Sequence, residues 1–155
     1  FGYIDAEIVE IISAGTNVAG NFVTQNTPEV TWRLGAHYNV DLDDKGLLSL
    51  NGSLSYRDAY NLFNVPLPGF AGGVLPQFPN GGPAIDPESY TLIDLSAKWT
   101  SPSDKYWVSA HVRNLSDEKY RVAAYNFASL GLDGSYSAFY GAPRTFTASV
   151  GVKFK

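Results

Sequence analysis

The strongest constraint on this chain is a rhythm of two. Over residues 144–154, Phe146, Ala148, Val150, Val152 and Phe154 fall on one side, and Thr145, Thr147, Ser149, Gly151 and Lys153 on the other. Successive side chains of an extended chain point to opposite faces, so this stretch predicts a β-strand with one apolar and one polar face. Similar alternation runs through 2–11, 30–40, 47–58, 90–100 and 105–114. Over 30–40, Val30, Trp32, Leu34, Ala36, Tyr38 and Val40 alternate with Thr31, Arg33, Gly35, His37 and Asn39. In the first stretch Ile4, Ala6 and Ile8 oppose Tyr3, Asp5 and Glu7, with Val9 blurring the end. No stretch shows a helical period, so the expected fold class is all-β, an antiparallel up-and-down meander of six strands.

The connections are unequal. Residues 41–46 (Asp-Leu-Asp-Asp-Lys-Gly) and 101–105 (Ser-Pro-Ser-Asp-Lys) are short and rich in turn-forming residues. Residues 12–29, 59–89 and 115–143 are long. Short and long strictly alternate, which in a meander sends all short turns to one end and all long loops to the other. Outer-membrane barrels show that asymmetry, with short periplasmic turns and longer extracellular loops. Loops of such length inside a compact soluble domain would count against the assignment.

Composition removes several classes of function. With no Cys there is no disulfide, thiolate metal site or cysteine nucleophile. Fifteen Asp and Glu against 11 Lys and Arg, with no basic run, leave no footprint for nucleic acid. His37 and His111 are too few for a His-rich metal site. No apolar run approaches the length of a membrane helix, so any membrane would be crossed by strands. A chain that opens at Phe1 and has no Met at any position is expected to be a piece of a longer protein.

Alternation alone does not separate a barrel in lipid from a soluble sandwich. The aromatics help: Trp32, Tyr38, Tyr56, Trp99, Tyr106, Phe146 and Phe154 all lie on the apolar faces, near strand ends, with small aliphatics between them. That distribution matches the two aromatic girdles that flank a lipid-facing band. The polar faces carry Arg33, His37, Arg57, Lys98, His111, Arg113 and Lys153, as a water-filled or plugged lumen would. Six strands are too few to close a barrel, since the smallest known have eight. Further strands are therefore expected outside this chain.

The segment Val112-Arg113-Asn114-Leu115-Ser116-Asp117-Glu118-Lys119-Tyr120, followed at a distance by Tyr140-Gly141-Ala142-Pro143-Arg144-Thr145-Phe146 and an alternating strand ending on Phe154, resembles the C-terminus of a TonB-dependent outer-membrane receptor. Gly2-Tyr3-Ile4-Asp5-Ala6-Glu7-Ile8, Gly20-Asn21, Asn26-Thr27-Pro28-Glu29 and Leu54-Ser55-Tyr56-Arg57-Asp58 are similar to the family as well. The resemblance implies the last six strands of a 22-stranded transmembrane barrel with a plugged lumen, in the outer membrane of a Gram-negative bacterium. It implies import of a scarce nutrient, most commonly an iron–siderophore complex, with cobalamin, haem and saccharides as other classes. The implied partners are outer-membrane lipid, the rest of the barrel and its plug, the TonB complex through an N-terminal region outside this chain, the small-molecule ligand, and the barrel-assembly machinery, which reads the last strand. Lys155 after Phe154 departs from the family's habit of ending on an aromatic. The fragment alone would not be transport-competent.

Candidate sites follow from this placement. Tyr60, Phe63, Phe70 and Phe78, with Tyr125, Phe127, Tyr136, Phe139 and Tyr140, concentrate aromatics in the long loops, as a site for a planar or chelate-like ligand would. The same residues suit packing of the loops on themselves. Arg57 and Arg113, near outer strand ends, suit attraction of an anionic chelate or pairing with acids of lumen or plug. Asp5 and Glu7 have no orienting partner or nucleophile beside them, and 41–46 lacks a calcium loop's ligands, since Lys45 stands where an oxygen belongs. No catalytic role, metal or cofactor is assigned. Two other readings stay open: a passive porin or small oligomeric outer-membrane β protein, and a soluble carbohydrate-binding β-sandwich.

Overall fold

A computed structural model describes residues 1–64, 86–126 and 136–154; the side chains of Asn126 and Tyr136 lie outside that description. Among the described residues ten strands form: β1 (Gly2–Tyr3), β2 (Ile12–Ser13), β3 (Thr16–Asn17), β4 (Val30–Asp41), β5 (Leu47–Arg57), β6 (Tyr90–Thr100), β7 (Tyr106–Arg113), β8 (Arg121–Asn126), β9 (Tyr136–Tyr140) and β10 (Thr145–Val152). Among the described residues there is no α-helix, only 3-10 turns at Ala19–Asn21 and Asp43–Lys45. Six strands make one sheet in the order β1-β4-β5-β6-β7-β10, and β2–β3 and β8–β9 are separate two-stranded ribbons. The chain is all-β and mostly antiparallel.

Register explains the sidedness. Across β6 and β7, Leu95 stands opposite Val112, Ala97 opposite Ala110 and Trp99 opposite Val108. Across β7 and β10, Val112 meets Phe146, Ala110 meets Ala148, Val108 meets Val150 and Tyr106 meets Val152. Directly opposed residues share a face, so apolar positions continue across strands, and so do polar ones such as Ser96, His111 and Thr147. A slip of one residue would mix the faces.

The tight turns are built as their residues require. Between β4 and β5 the Leu42 N–H donates to the Gly46 carbonyl at 2.8 Å, and Gly46 sits at φ +98°, where a side chain is strained. A Cβ there would also collide with the Thr100 carbonyl oxygen. Trp99 Nε1 donates to the Lys45 carbonyl at 2.8 Å, tying this turn to β6. Between β6 and β7, Ser101 both donates its N–H to the Tyr106 carbonyl (2.9 Å) and accepts the Tyr106 N–H on Oγ (3.0 Å).

Two stretches differ from expectation. The strand expected over 2–11 is paired only at Gly2–Tyr3. Gly2 lies opposite Thr31 and Tyr3 opposite Val30, the first residue of β4, so the chain beyond Tyr3 runs past the end of β4 and has almost nothing left to pair with. One further bond, from the Ile4 N–H to the Glu29 carbonyl at 2.9 Å, ends the contact. The loops expected over 12–29 and 115–143 contain the β2–β3 hairpin and the β8–β9 ribbon, whose short runs satisfy backbone groups locally.

The chain divides into two compact units: a loop unit of Phe1–Thr31, Arg57–Tyr90 and Tyr120–Gly141, and a sheet unit of Trp32–Tyr56, Thr91–Lys119 and Ala142–Lys155. Among the described residues the buried hydrophobic side chains are Ala19, Tyr60 and Leu62, all in the loop unit. No large side chain among the described residues is fully buried. The sheet unit instead buries Ser101, Ser109 and Asn114, and exposes Leu34, Tyr38, Leu95, Val108, Phe146 and Val150. A sheet normally buries one face against another layer; among the described residues of this unit the apolar side chains of the sheet are exposed instead.

Candidate functional site

In the loop unit, β5 ends at Arg57, whose guanidinium carbon lies 4.2 Å from the centre of the Tyr60 ring. Such a stack holds an arginine over an aromatic face by the ring quadrupole. Tyr60 is only 6 % exposed. Burial pushes its phenol pKa above the ordinary value; the Arg57 charge opposes that shift and Tyr90 adds to it. The phenol is therefore neutral at physiological pH. Arg57 Nε is buried without a hydrogen-bond partner among the described residues. Tyr90, at the start of β6, stacks on Tyr120 with centroids 4.5 Å apart. Gly141 is what makes room for that pair, because a Cβ there would overlap the Tyr120 ring.

Beside this cluster the Asp86 carboxylate accepts the Leu62 N–H at 2.8 Å. Burial raises its pKa, against the lowering effects of that hydrogen bond and of Arg121. Gln25 Nε2 donates to the Leu62 carbonyl (2.6 Å), the Asn26 N–H to the Asn61 carbonyl (2.8 Å), and Asn61 Nδ2 to the Thr24 carbonyl (3.4 Å). The segments before β4 and after β5 are thus zipped by amide side chains. A polar hollow of about 300 Å³ here is lined by Thr24, Thr27, Glu29, Asp58, Tyr60 and Asn61, among others.

In the sheet unit the two segments that resemble the receptor family are bound to each other. Asn114, 3 % exposed and at φ +51°, accepts the Glu118 N–H on Oδ1 (2.8 Å) and donates from Nδ2 to the carbonyls of Glu118 (2.9 Å) and Ala142 (3.1 Å). Its own N–H goes to Asp94 Oδ1 at 2.9 Å. Asp117 Oδ1 accepts the Arg144 N–H (2.9 Å), and Arg144 Nη1 donates to the Leu115 carbonyl (3.3 Å). One amide thus satisfies three backbone groups. The residues Asn114, Asp117 and Arg144 are explained by this clasp without any ligand.

The polar face of the sheet holds a row of hydrogen-bonding side chains. His37 Nδ1 lies 2.6 Å from Asn51 Oδ1, which requires the proton on Nδ1, and Asn51 Nδ2 donates to Ser96 Oγ at 3.3 Å. Ser96 stands opposite His111, and His111 opposite Thr147. A hollow of about 510 Å³ on this face is lined by Arg33, Asn51, Ser53, Asp94, His111 and Arg113, among others. Arg33 Nη2 donates to Ser53 Oγ at 3.1 Å. Lys98 Nζ lies 5.1 Å from the centre of the Trp107 ring, and a Cβ on Gly151 would overlap that ring. Among the described residues no group of three or more His, Asp or Glu converges as a metal site would.

No family model, curated protein or solved structure matches the chain. The structural placement of the candidate residues therefore rests on geometry alone.

Arg57 and Tyr60 are brought together, and Phe63 is half-buried in the same unit. Tyr125 and Phe139 meet edge to face on the β8–β9 ribbon, centroids 5.5 Å apart, both exposed, as is Tyr140. Arg113 belongs to the sheet unit and lines the polar hollow there. Phe70, Phe78 and Phe127 lie outside the described residues, and Tyr136 is described only as the backbone partner of Asn126. Of the aromatics assigned to girdles, Trp32 stacks on Tyr56 at 5.7 Å and Trp99 is half-buried; Tyr38, Tyr106, Phe146 and Phe154 are exposed. Lys105 and Arg144 approach the Tyr106 and Phe146 rings, at 5.4 and 6.0 Å. Tyr90, Tyr120 and Asp86 were not anticipated. For Tyr120 the local signal is Gly141, where a Cβ would overlap its ring.

Proposed function

We propose that this chain is the C-terminal part of the transmembrane β-barrel of a TonB-dependent outer-membrane receptor, which takes up a scarce nutrient, an iron–siderophore complex being the favoured class. The observation that carries the proposal is the sheet's inverted burial: register gathers apolar side chains on one face, and among the described residues Leu34, Tyr38, Leu95, Val108, Phe146 and Val150 of that face are exposed. Lipid is the environment in which such a face costs nothing, because the bilayer core takes the place of a packed layer while the ladders satisfy the backbone. The opposite face, with its hydrogen-bonded row and its Arg33 and Arg113, suits a polar lumen.

In this reading the aromatics at the strand ends anchor the barrel at the two interfaces, the loop unit faces outside and meets the ligand, and β10 is the strand offered to the assembly machinery. Energy for transport comes through the plug and TonB, which lie outside this chain. A soluble sandwich would need a second sheet over the apolar face, and the two ribbons found here are short and separate. The experiment is to express the full-length gene in a strain lacking it. Expected are a heat-modifiable band from outer membranes and restored growth on one member of a panel of chelated iron sources. A cooperatively folded, monomeric product in water without detergent overturns the reading.

A further inference from the structure

We propose that the hollow on the polar face of the sheet binds a hydroxylated carboxylate, a sugar acid or hydroxy acid, with Arg33 and Arg113 taking the carboxylate and Asp94 and His111 the hydroxyls. The inference rests on the uptake reading for the direction in which the hollow faces, and it deepens that reading by naming the chemistry of the ligand.

The site is built within the sheet unit alone. Four neighbouring strands, β4 to β7, supply its walls, and its volume of about 510 Å³ lies in the range of small-molecule sites. Arg33 stands near the start of β4 and Arg113 is the last residue of β7, so both lie at the end of the sheet from which the long connections leave. The bond from Arg33 Nη2 to Ser53 Oγ, 3.1 Å, draws the guanidinium from β4 over to β5. Two strand spacings, about 10 Å, then separate Ser53 from the strand that carries Arg113. A ligand group seated over β6 is within reach of both guanidiniums.

Charge sets the class of ligand. Among the described residues no acid lies within ion-pair distance of either arginine, and Asp94 is the one acid lining the hollow. Asp94 Oδ1 already accepts the Asn114 N–H at 2.9 Å. With His111 counted as neutral, two guanidiniums against one carboxylate leave a single positive charge. One ligand carboxylate cancels it, whereas a phosphate dianion overshoots. A guanidinium also offers paired N–H donors that match the two oxygens of a carboxylate. The rest of the ligand meets Asp94 and His111. The second Asp94 oxygen accepts a hydroxyl proton, and the neutral imidazole offers a donor on one nitrogen and an acceptor on the other. A neutral sugar leaves the arginines unanswered, and a bare carboxylate leaves Asp94 and His111 unanswered.

The test is calorimetric titration of the full-length protein, purified from outer membranes in detergent. The probes are gluconate with and without ferric iron, sorbitol as the neutral polyol, and acetate as the bare carboxylate. Gluconate alone is expected to bind at least about tenfold more tightly than sorbitol or acetate, and to weaken as salt is raised. Arg33→Gln and Arg113→Gln should each weaken gluconate at least about tenfold while the heat-modifiable band is kept. If a Gln variant loses the band, the selectivity of the unmodified protein decides alone. Asp94→Asn keeps the acceptor for the Asn114 N–H and removes the carboxylate's repulsion, so it should tighten acetate and narrow the advantage of gluconate. Sorbitol or acetate bound as tightly as gluconate overturns the inference and leaves the barrel reading standing. So does binding that requires ferric iron, or unchanged affinity in both arginine variants. Gluconate bound with the expected selectivity by a protein that folds in water without detergent supports the hollow and overturns the barrel.

Discussion

The loop unit keeps Ala19, Tyr60 and Leu62 from solvent, as a small globular core does, whereas the sheet unit hides Ser101, Ser109 and Asn114 and leaves Val150 78 % and Phe146 72 % exposed. Burial follows polarity in opposite senses within one short chain. The sheet unit is held by ladders, turns and a side-chain clasp, and its apolar side chains are exposed. The loop unit gathers a few aromatic and apolar side chains behind hydrogen bonds of Gln25, Asn26 and Asn61.

Several substitutions separate those two modes. The largest effect is expected at Gly46→Val. The left-handed backbone adds about 2 kcal/mol of strain and the clash with Thr100 about as much again, so on the proposed barrel reading heat-modifiable protein should be nearly lost from outer membranes. Val150→Arg discriminates most directly between the two modes. In a bilayer it costs about 2–4 kcal/mol near the midplane, while at an exposed site in water it stays within about 0.5 kcal/mol. Urea unfolding in detergent micelles or vesicles reads the difference, and a neutral result would show that this face meets water.

Asn114→Ala leaves the Glu118 N–H and the Glu118 and Ala142 carbonyls without their partner, at a cost of about 1–3 kcal/mol. Unfolding should report it as a loss of sheet stability; if proteolysis at 115–143 rises while global stability holds, the clasp orders only the loop. Tyr60→Ala is expected to act on the loop unit alone, raising protease sensitivity after β5 and leaving insertion unchanged. A drop in insertion would merge the two modes into one. The smallest effect is at Asp86. Its folded pKa is raised, so its contribution to stability is full at pH below the unfolded carboxyl's value and is lost as pH rises through the folded value. Asp86→Asn should keep the acceptor for the Leu62 N–H and flatten the fall in the loop unit's stability as pH rises above the unfolded carboxyl's value. An unchanged slope would assign that dependence to another group.

Residue pattern made much of this legible, and the failures are specific. Phe146 to Val152 alternate so cleanly that strand and faces could both be read, and the turn at 41–46 was marked by its Asp, Lys and Gly. The segment 2–11 was misjudged because Ile4, Ala6 and Ile8 alternate as a strand would, although pairing needs a partner and β4 begins only at Val30. In the candidate site, Arg57 and Tyr60 were visible as charge and aromaticity near a strand end. The stack of Tyr90 on Tyr120 and the bond of Asp86 to Leu62 were not, since each joins residues 24 or more apart in the chain and nothing local marks such a meeting.

Period-two patterning is a local property, so strand content, the sidedness of each strand and the polar character of the turns follow from the residues themselves. What pairs with what, and at which offset, is a property of distant backbone groups satisfying one another. That is why the clasp of Asn114 with Ala142, the stack of Tyr90 on Tyr120 and the register that carries β1 off the end of β4 were decided only when the chain was folded.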